Sequence, residues 1–155
     1  FRFLVLQPFL VDGNSMEPNF HDKEYLLVNQ LTYRIRAPQR GETIIFRYPQ
    51  NPQEDFIKRI VGLPGETLEI ENGQVLINSD EAILREQSTI TLGHDEYFVL
   101  GDNRNHSSDS RDWGILPRKN IIGRAWLVVY PFRYWGLVNN PAVNFSLAPS
   151  FSAVF

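Results

Sequence analysis

An all-β fold, mostly antiparallel, is predicted by three observations. Short runs rich in β-branched and aromatic residues recur along the chain. Clusters of Gly, Pro and Asn punctuate them. No long amphipathic helical stretch interrupts the series, so little helix is expected. Together these point to a coiled or barrel-like β-sheet core with a small β-hairpin cap.

The elements follow in order. Phe1 to Val11 is aromatic and aliphatic and does not begin with Met. It reads either as a buried strand at a processed N-terminus or as a segment downstream of a missing membrane anchor. Strands are expected at Tyr25–Val28, Thr43–Phe46, Phe56–Val61, Thr67–Ile70, Gln74–Ile77, Tyr97–Leu100 and Trp126–Tyr130. Turns are expected at Arg40-Gly41, across Tyr48–Pro52, and at Leu63-Pro64-Gly65, Asn72-Gly73 and Gly101-Asp102-Asn103. Asn72-Gly73 lies between two alternating runs and fits a type I′ hairpin, whose two central residues need positive φ. Residues 15–22 and 117–121 suit short helical turns. The stretch 67–95 is more polar than its flanks and reads as a small cap inserted into a core formed by 1–66 and 96–137. Residues 138–155 form an uncharged, apolar tail.

The 155 residues suffice for one domain with a core that needs no staples. Fifteen basic and eighteen acidic residues give a net charge of -3, with no basic run to hold nucleic acid. Cysteine is absent, which excludes disulfides and thiolate metal sites. No metal or cofactor is expected.

Three runs carry chemistry. Asp12-Gly13-Asn14-Ser15-Met16-Glu17-Pro18 sets a serine among turn formers. It is either a capping serine or a nucleophile with backbone N–H groups nearby for an oxyanion. Lys58 stands among Phe56, Ile57, Ile60 and Val61, and is either a snorkelling side chain or a buried one. Burial would lower its pKa, and reaching ~7–8 would cost about 3–4 kcal/mol. A neutral amine could then accept the Ser15 proton near neutrality. Gly101 to Gly114 packs hydroxyls, carboxylates and guanidiniums closely, as a polar network bracing a site would. Such a loop also reads as a solvated surface loop or as a Ca²⁺ site, and its two arginines argue against the metal.

These runs resemble those of the type I signal peptidases, the Ser/Lys leader peptidases of bacterial membranes. Ser15-Met16-Glu17-Pro18 is similar to their nucleophile box, and Arg40-Gly41-Glu42-Thr43-Ile44-Ile45-Phe46 to their Arg-Gly-Asp strand. Lys58 to Glu66 is similar to the lysine box, and Gly101 to Gly114 to the Gly-Asp-Asn-Arg box. The resemblance implies a serine endopeptidase that removes signal peptides from exported preproteins after small residues at -3 and -1. Ser15 would be the nucleophile and Lys58 the general base. Ser107 would orient the lysine amine, and the Ser15 N–H would serve the oxyanion. Asp102 with Arg59, and Asp109 with Arg111, would be structural ion pairs. Phe9, Val11, Met16, Phe20, Phe56 and Ile57 would line the substrate pockets. Implied partners are signal peptides and the lipid bilayer surface. The implied location is the bacterial cytoplasmic membrane, with the catalytic domain on its outer face and Trp113 or Trp135 near the lipid.

The chain departs from the family pattern at Gly13, where many relatives carry a hydroxyl that assists the oxyanion, and at Asn19, where Thr is usual. Three other readings stay open: a self-cleaving repressor-type Ser/Lys peptidase, a hydrolase based on His21, His94 or His106, and a non-catalytic membrane-surface module. In the tail, Ser146-Leu147-Ala148 has the small-residue spacing of a cleavage site, with Pro149 placed where it would block attack.

Overall fold

A computed structural model describes residues 6–78 and 89–139, with residues 153–154. The strands are β1 (Leu6–Leu10), β2 (Tyr25–Asn29), β3 (Thr43–Tyr48), β4 (Asn51–Gly62), β5 (Thr67–Glu71), β6 (Gln74–Asn78), β7 (Thr89–Thr91), β8 (Glu96–Leu100), β9 (Leu116–Pro117), β10 (Ile121–Tyr130), β11 (Gly136–Leu137) and β12 (Ala153–Val154). Two one-turn helices, α1 (Thr32–Ile35) and α2 (Ser110–Trp113), interrupt them. The larger sheet has the order β1-β2-β10-β3-β4-β8-β9, with β11 beside β10. The smaller has the order β12-β6-β5-β7. Every described pairing is antiparallel, as the short alternating runs predict. The larger sheet stays open among the described residues, with β1 and β9 as its edges, so the expected barrel-like closure does not reach a ring.

Local chemistry explains the turns. Asn72 and Gly73 both have positive φ, 51° and 75°, which is the type I′ geometry that aligns β5 with β6. The turn expected across Tyr48–Pro52 is tighter than the sequence suggests. Tyr48 pairs directly with Asn51, and Pro52 lies inside β4. Residues 51–55 are exposed, so a strand there carries no apolar pattern to read. The helical turns expected near 15–22 and 117–121 are present. Phe20 N–H bonds Met16 O at 3.0 Å, and Arg118–Asn120 forms a 3₁₀ turn.

Three apolar clusters hold the molecule together. The first joins Val11, Met16, Phe20, Leu26, Val28, Ile45, Ile57, Ala125 and Val128. It takes residues on each side of the turn that carries Ser15. Burial of a Met or Phe side chain contributes roughly 1.5–3 kcal/mol, so Met16 and Phe20 pin that turn firmly to the sheet. The second cluster centres on Phe46, Ile60 and Tyr97. Trp113 is partly buried and packs against it, 5.8 Å from Phe46 by ring centroids. The third cluster, with Val61, Leu68, Leu92, Phe98 and Leu100, fastens the smaller sheet to the end of β4 and to β8. Phe1 to Val5 and the tail's Ser146-Leu147-Ala148 lie outside the described residues. Among the described residues no helix is long and apolar enough to cross a membrane.

Candidate active site

Ser15 sits in the turn between β1 and β2, and Lys58 in the middle of β4. The Lys58 Nζ lies 2.8 Å from Ser15 Oγ and 3.0 Å from the Ile57 carbonyl, to which it donates. Lys58 is only 5% exposed. Burial pulls its pKa down from 10.5 to about 8, against the upward pull of the Asp109 and Asp102 carboxylates. Its stem runs past Phe56, whose ring centre is 5.3 Å from Nζ. A serine hydroxyl thus meets an amine that can lose its proton near neutral pH.

Both expected ion pairs form. Arg59 grips Asp102 with two hydrogen bonds, Nε to Oδ1 at 2.8 Å and Nη2 to Oδ2 at 2.7 Å. Its third nitrogen donates to Gly41 O at 2.7 Å, which ties β4 to the turn before β3. Arg111 holds Asp109 in the same two-pronged way, at 2.8 and 2.9 Å. Asp109 is fully buried, caps α2, and accepts the Gly101 N–H at 3.0 Å. Burial pushes its carboxyl up, but Arg111 and the Gly101 N–H outweigh that and hold it below the ordinary value. The loop also reaches back to the serine turn. Asn103 N–H donates to Ser15 O at 2.9 Å, and Asn103 Nδ2 to Asn14 O at 3.1 Å.

Ser107 lies beside this pair without bonding Lys58. Its Oγ is buried with no hydrogen-bond partner, packed over Gly101. A Cβ on Gly101 would stand 2.1 Å from Ser107 Oγ and 2.6 Å from Ser15 O, so only glycine allows this approach. Gly13 has φ of +89°, where glycine is favoured, and its N–H donates to Asp22 Oδ1 at 2.7 Å. That donor is therefore committed elsewhere. The Ser15 N–H has no hydrogen-bond partner among the described residues.

A cleft of about 240 Å³ opens beside the serine, and Phe9, Phe56, Ile57 and Lys58 line it. Val11 and Met16 instead lie in the core, 1% exposed each. Phe20 is 3% exposed and borders a separate cleft of about 420 Å³ with His21 and Tyr134. The serine cleft also contains Leu10, Asp12, Asp55 and Ser108, which sequence reasoning missed because they sit on strand edges and loops with no pattern of their own. In the sequence Asn19 stands out only as a departure, yet its Nδ2 donates to Asp102 at 2.8 Å and links the serine turn to the ion pair. None of the three histidines bonds Ser15. His21 pairs with Glu24, His94 with Asp95, and His106 faces Asn103. No group of side chains suited to a metal ion occurs among the described residues.

The Arg40-Gly41-Glu42 run braces the base strand from the other side. Glu42 is buried and accepts from Tyr33 OH at 3.0 Å, Gln39 N–H at 2.9 Å and the Arg36 guanidinium. Arg40 pairs with Glu66, which also takes the Leu63 N–H at 2.8 Å.

A serine in contact with a desolvated lysine, with no histidine at hand, is the chemistry of a Ser/Lys serine peptidase. The family model described as signal peptidase, peptidase S26, matches residues 1–130. A probable signal peptidase I-2 of Synechocystis sp. is 35% identical, over 91% of this chain and 71% of its own length. The signal peptidase I of Leptolyngbya laminosa is 37% identical, over 90% of this chain and 76% of its own. A probable signal peptidase I-1 of Synechocystis sp. is 36% identical, over 87% and 76%. The chain belongs to the signal peptidase S26 family.

Proposed function

We propose that this chain removes signal peptides from exported preproteins, with Ser15 as nucleophile and Lys58 as general base. The observation that carries the reading is the 2.8 Å contact between Ser15 Oγ and the Nζ of a lysine only 5% exposed. Family membership supplies the substrate class.

Neutral Lys58 takes the Ser15 proton as Oγ forms a bond to the scissile carbonyl carbon. The free Ser15 N–H faces the negative oxygen that results. When the C–N bond breaks, the Lys58 ammonium gives its proton to the departing amine. A water then attacks the acyl-serine, passing its proton to Lys58, and the serine hydroxyl is restored. The Arg59–Asp102 pair ties the strand that carries the base to the 101–114 loop, and the Arg111–Asp109 pair braces that loop. A buried, unpaired hydroxyl costs about 1–3 kcal/mol. That cost favours a role for Ser107 in which a small rotation brings its Oγ to the lysine amine during turnover.

Phe9, Phe56 and Ile57 wall a cleft that suits small side chains, in keeping with cleavage after Ala-x-Ala. Val11 and Met16 act as the floor beneath it, and Phe20 serves the neighbouring cleft. We assign the described residues of 67–95 to the cap, and those of 1–66 and 96–137 to the catalytic core. Membrane association goes with the family. The surface we assign to the outer-leaflet lipid includes Tyr130, Phe132, Trp135 and Leu137, which are exposed by 52%, 75%, 67% and 68%.

The test is cleavage of a peptide spanning an Ala-x-Ala site by the wild-type protein, Ser15→Ala and Lys58→Ala. Both variants should lose activity at every pH. Full activity in Lys58→Ala would remove the dyad, and full activity in Ser15→Ala would remove the peptidase mechanism.

A further inference from the structure

We infer that Asn103 is a positioning residue for the oxyanion site, acting through the peptide bond that joins Asn14 to Ser15. The inference rests on the Ser15/Lys58 reading above. Asn103 holds both carbonyls that flank the nucleophile. Its side-chain Nδ2 donates to Asn14 O at 3.1 Å, and its backbone N–H donates to Ser15 O at 2.9 Å.

Peptide planarity turns the first of these bonds into an orienting device. The cis bonds of the described chain are at Glu17-Pro18 and Tyr130-Pro131, so the 14–15 peptide is trans. In a trans peptide the C=O and the N–H lie in one plane and point in opposite directions. Drawing the Asn14 carbonyl toward the 101–114 loop therefore aims the Ser15 N–H away from that loop. This is the N–H that has no partner among the described residues. The neighbouring Gly13 N–H is bound to Asp22 and cannot substitute for it.

Asn103 is itself well placed to hold a direction. It follows Asp102, which Arg59 fixes with two hydrogen bonds. Its backbone O accepts the His106 N–H at 3.0 Å, and its Oδ1 faces His106 Nδ1 at 3.3 Å. With glycine where relatives often carry a hydroxyl, the oxyanion depends more heavily on one main-chain donor. A donor stabilises a transition state only as far as it is aimed beforehand.

The experiment compares Asn103→Ala and Asn103→Leu, both uncharged, with the wild-type chain on an Ala-x-Ala peptide, measuring kcat and KM across pH. It adds the affinity of a peptide aldehyde of the same sequence. Ser15 Oγ adds to the aldehyde carbon, and the hydroxyl proton passes to the new hemiacetal oxygen, which occupies the oxyanion position. The expected result is a fall in kcat of about 10- to 100-fold, short of the loss of a whole donor. KM should stay within about threefold. The midpoint of the pH profile should not move, because the base is untouched, and aldehyde affinity should fall in step with kcat/KM. A loss confined to KM, a shifted pH midpoint, or unchanged aldehyde affinity overturns the inference. Should Asn103→Ala fail to fold, the near-isosteric and uncharged Asn103→Leu carries the same measurements. Ser15→Ala run beside them separates the two levels. An active Ser15→Ala sinks the nucleophile assignment, whereas an inactive one with wild-type-like Asn103 variants sinks only the positioning role.

Discussion

Replacing Lys58 with Met should abolish activity and stabilise the fold. The lysine is 5% exposed, and burial lowers its pKa from 10.5 to about 8. At about 1.4 kcal/mol per pH unit, holding this amine in the folded chain costs about 3 kcal/mol. Because the folded value lies below the unfolded one, the unfolded chain binds more protons between about pH 8 and 10.5. The penalty is therefore complete below about pH 8 and fades as pH approaches 10.5. Met fills a similar space without a charge, though it forgoes the bonds to Ser15 and Ile57. The gain should be about 2–3 kcal/mol at pH 7, or roughly 5–10 °C in Tm for a chain of this length. It should shrink toward zero at pH 10.5. Thermal unfolding at pH 7 and at pH 10 reads the difference. In the wild-type protein, kcat/KM should rise with pH to a plateau, with a midpoint near 8, since that ratio reports the free enzyme. A midpoint near 10, or a stability gain equal at both pH values, would refute the reasoning.

Asp102→Ala should destabilise by about 3–5 kcal/mol, because it strands the Arg59 guanidinium in a buried setting. The double variant Arg59→Met/Asp102→Leu should recover most of that in urea unfolding while peptide cleavage stays low. Gly101→Ala should cut cleavage sharply, since its Cβ would stand 2.6 Å from Ser15 O and 2.5 Å from Ser107 Cβ. Wild-type kinetics would show that this close approach is not needed. Arg111→Gln should move the kcat/KM midpoint upward, because Asp109 then pulls on the lysine without its counter-charge; an unmoved midpoint would count against that account. Gly13→Ser has open space for its side chain but a φ of +89°, so Tm should fall modestly, by about 1 kcal/mol of stability. If the added hydroxyl reaches the oxyanion, kcat should rise; a lower kcat would mean that strain at the turn dominates.

Much of the site was legible because its parts are local. Asn72-Gly73 announces its turn through φ requirements that few other pairs meet, and both angles are positive as expected. The apolar neighbours of Lys58 raise burial only as one of two readings beside snorkelling, and the structure selects it, with Ile57 and Arg59 on either side also covered. Other features depend on contacts between distant segments. β1 was not separable from a pre-anchor segment, because an edge strand beside a cleft needs little alternation to hold its register with β2. Val11 and Met16 could be named as apolar, but only packing decides whether an apolar side chain lines a cleft or fills the core beneath it. Asn19 and Asn103 act through hydrogen bonds 83 and 89 residues away in sequence, and no periodicity encodes those.

The arrangement of charge around Lys58 gives two arginines a place beside the proposed base. Asp109 and Asp102 each act to raise the lysine pKa, and left bare they would restore the ammonium that catalysis must avoid. The carboxylates cannot simply be dispensed with. Asp109 caps α2 and holds the Gly101 N–H, while Asp102 anchors Asn19 and through it the serine turn. Each is instead matched to a guanidinium that binds it through two parallel bonds. A guanidinium bound to each carboxylate opposes its charge while keeping the geometry the carboxylates provide. Desolvation then dominates, and the amine titrates near 8 rather than above 10. A lysine in place of either arginine would keep the charge count but lose the fork, so the loop that carries Asn103 and Ser107 would lose its alignment before the base lost its pKa.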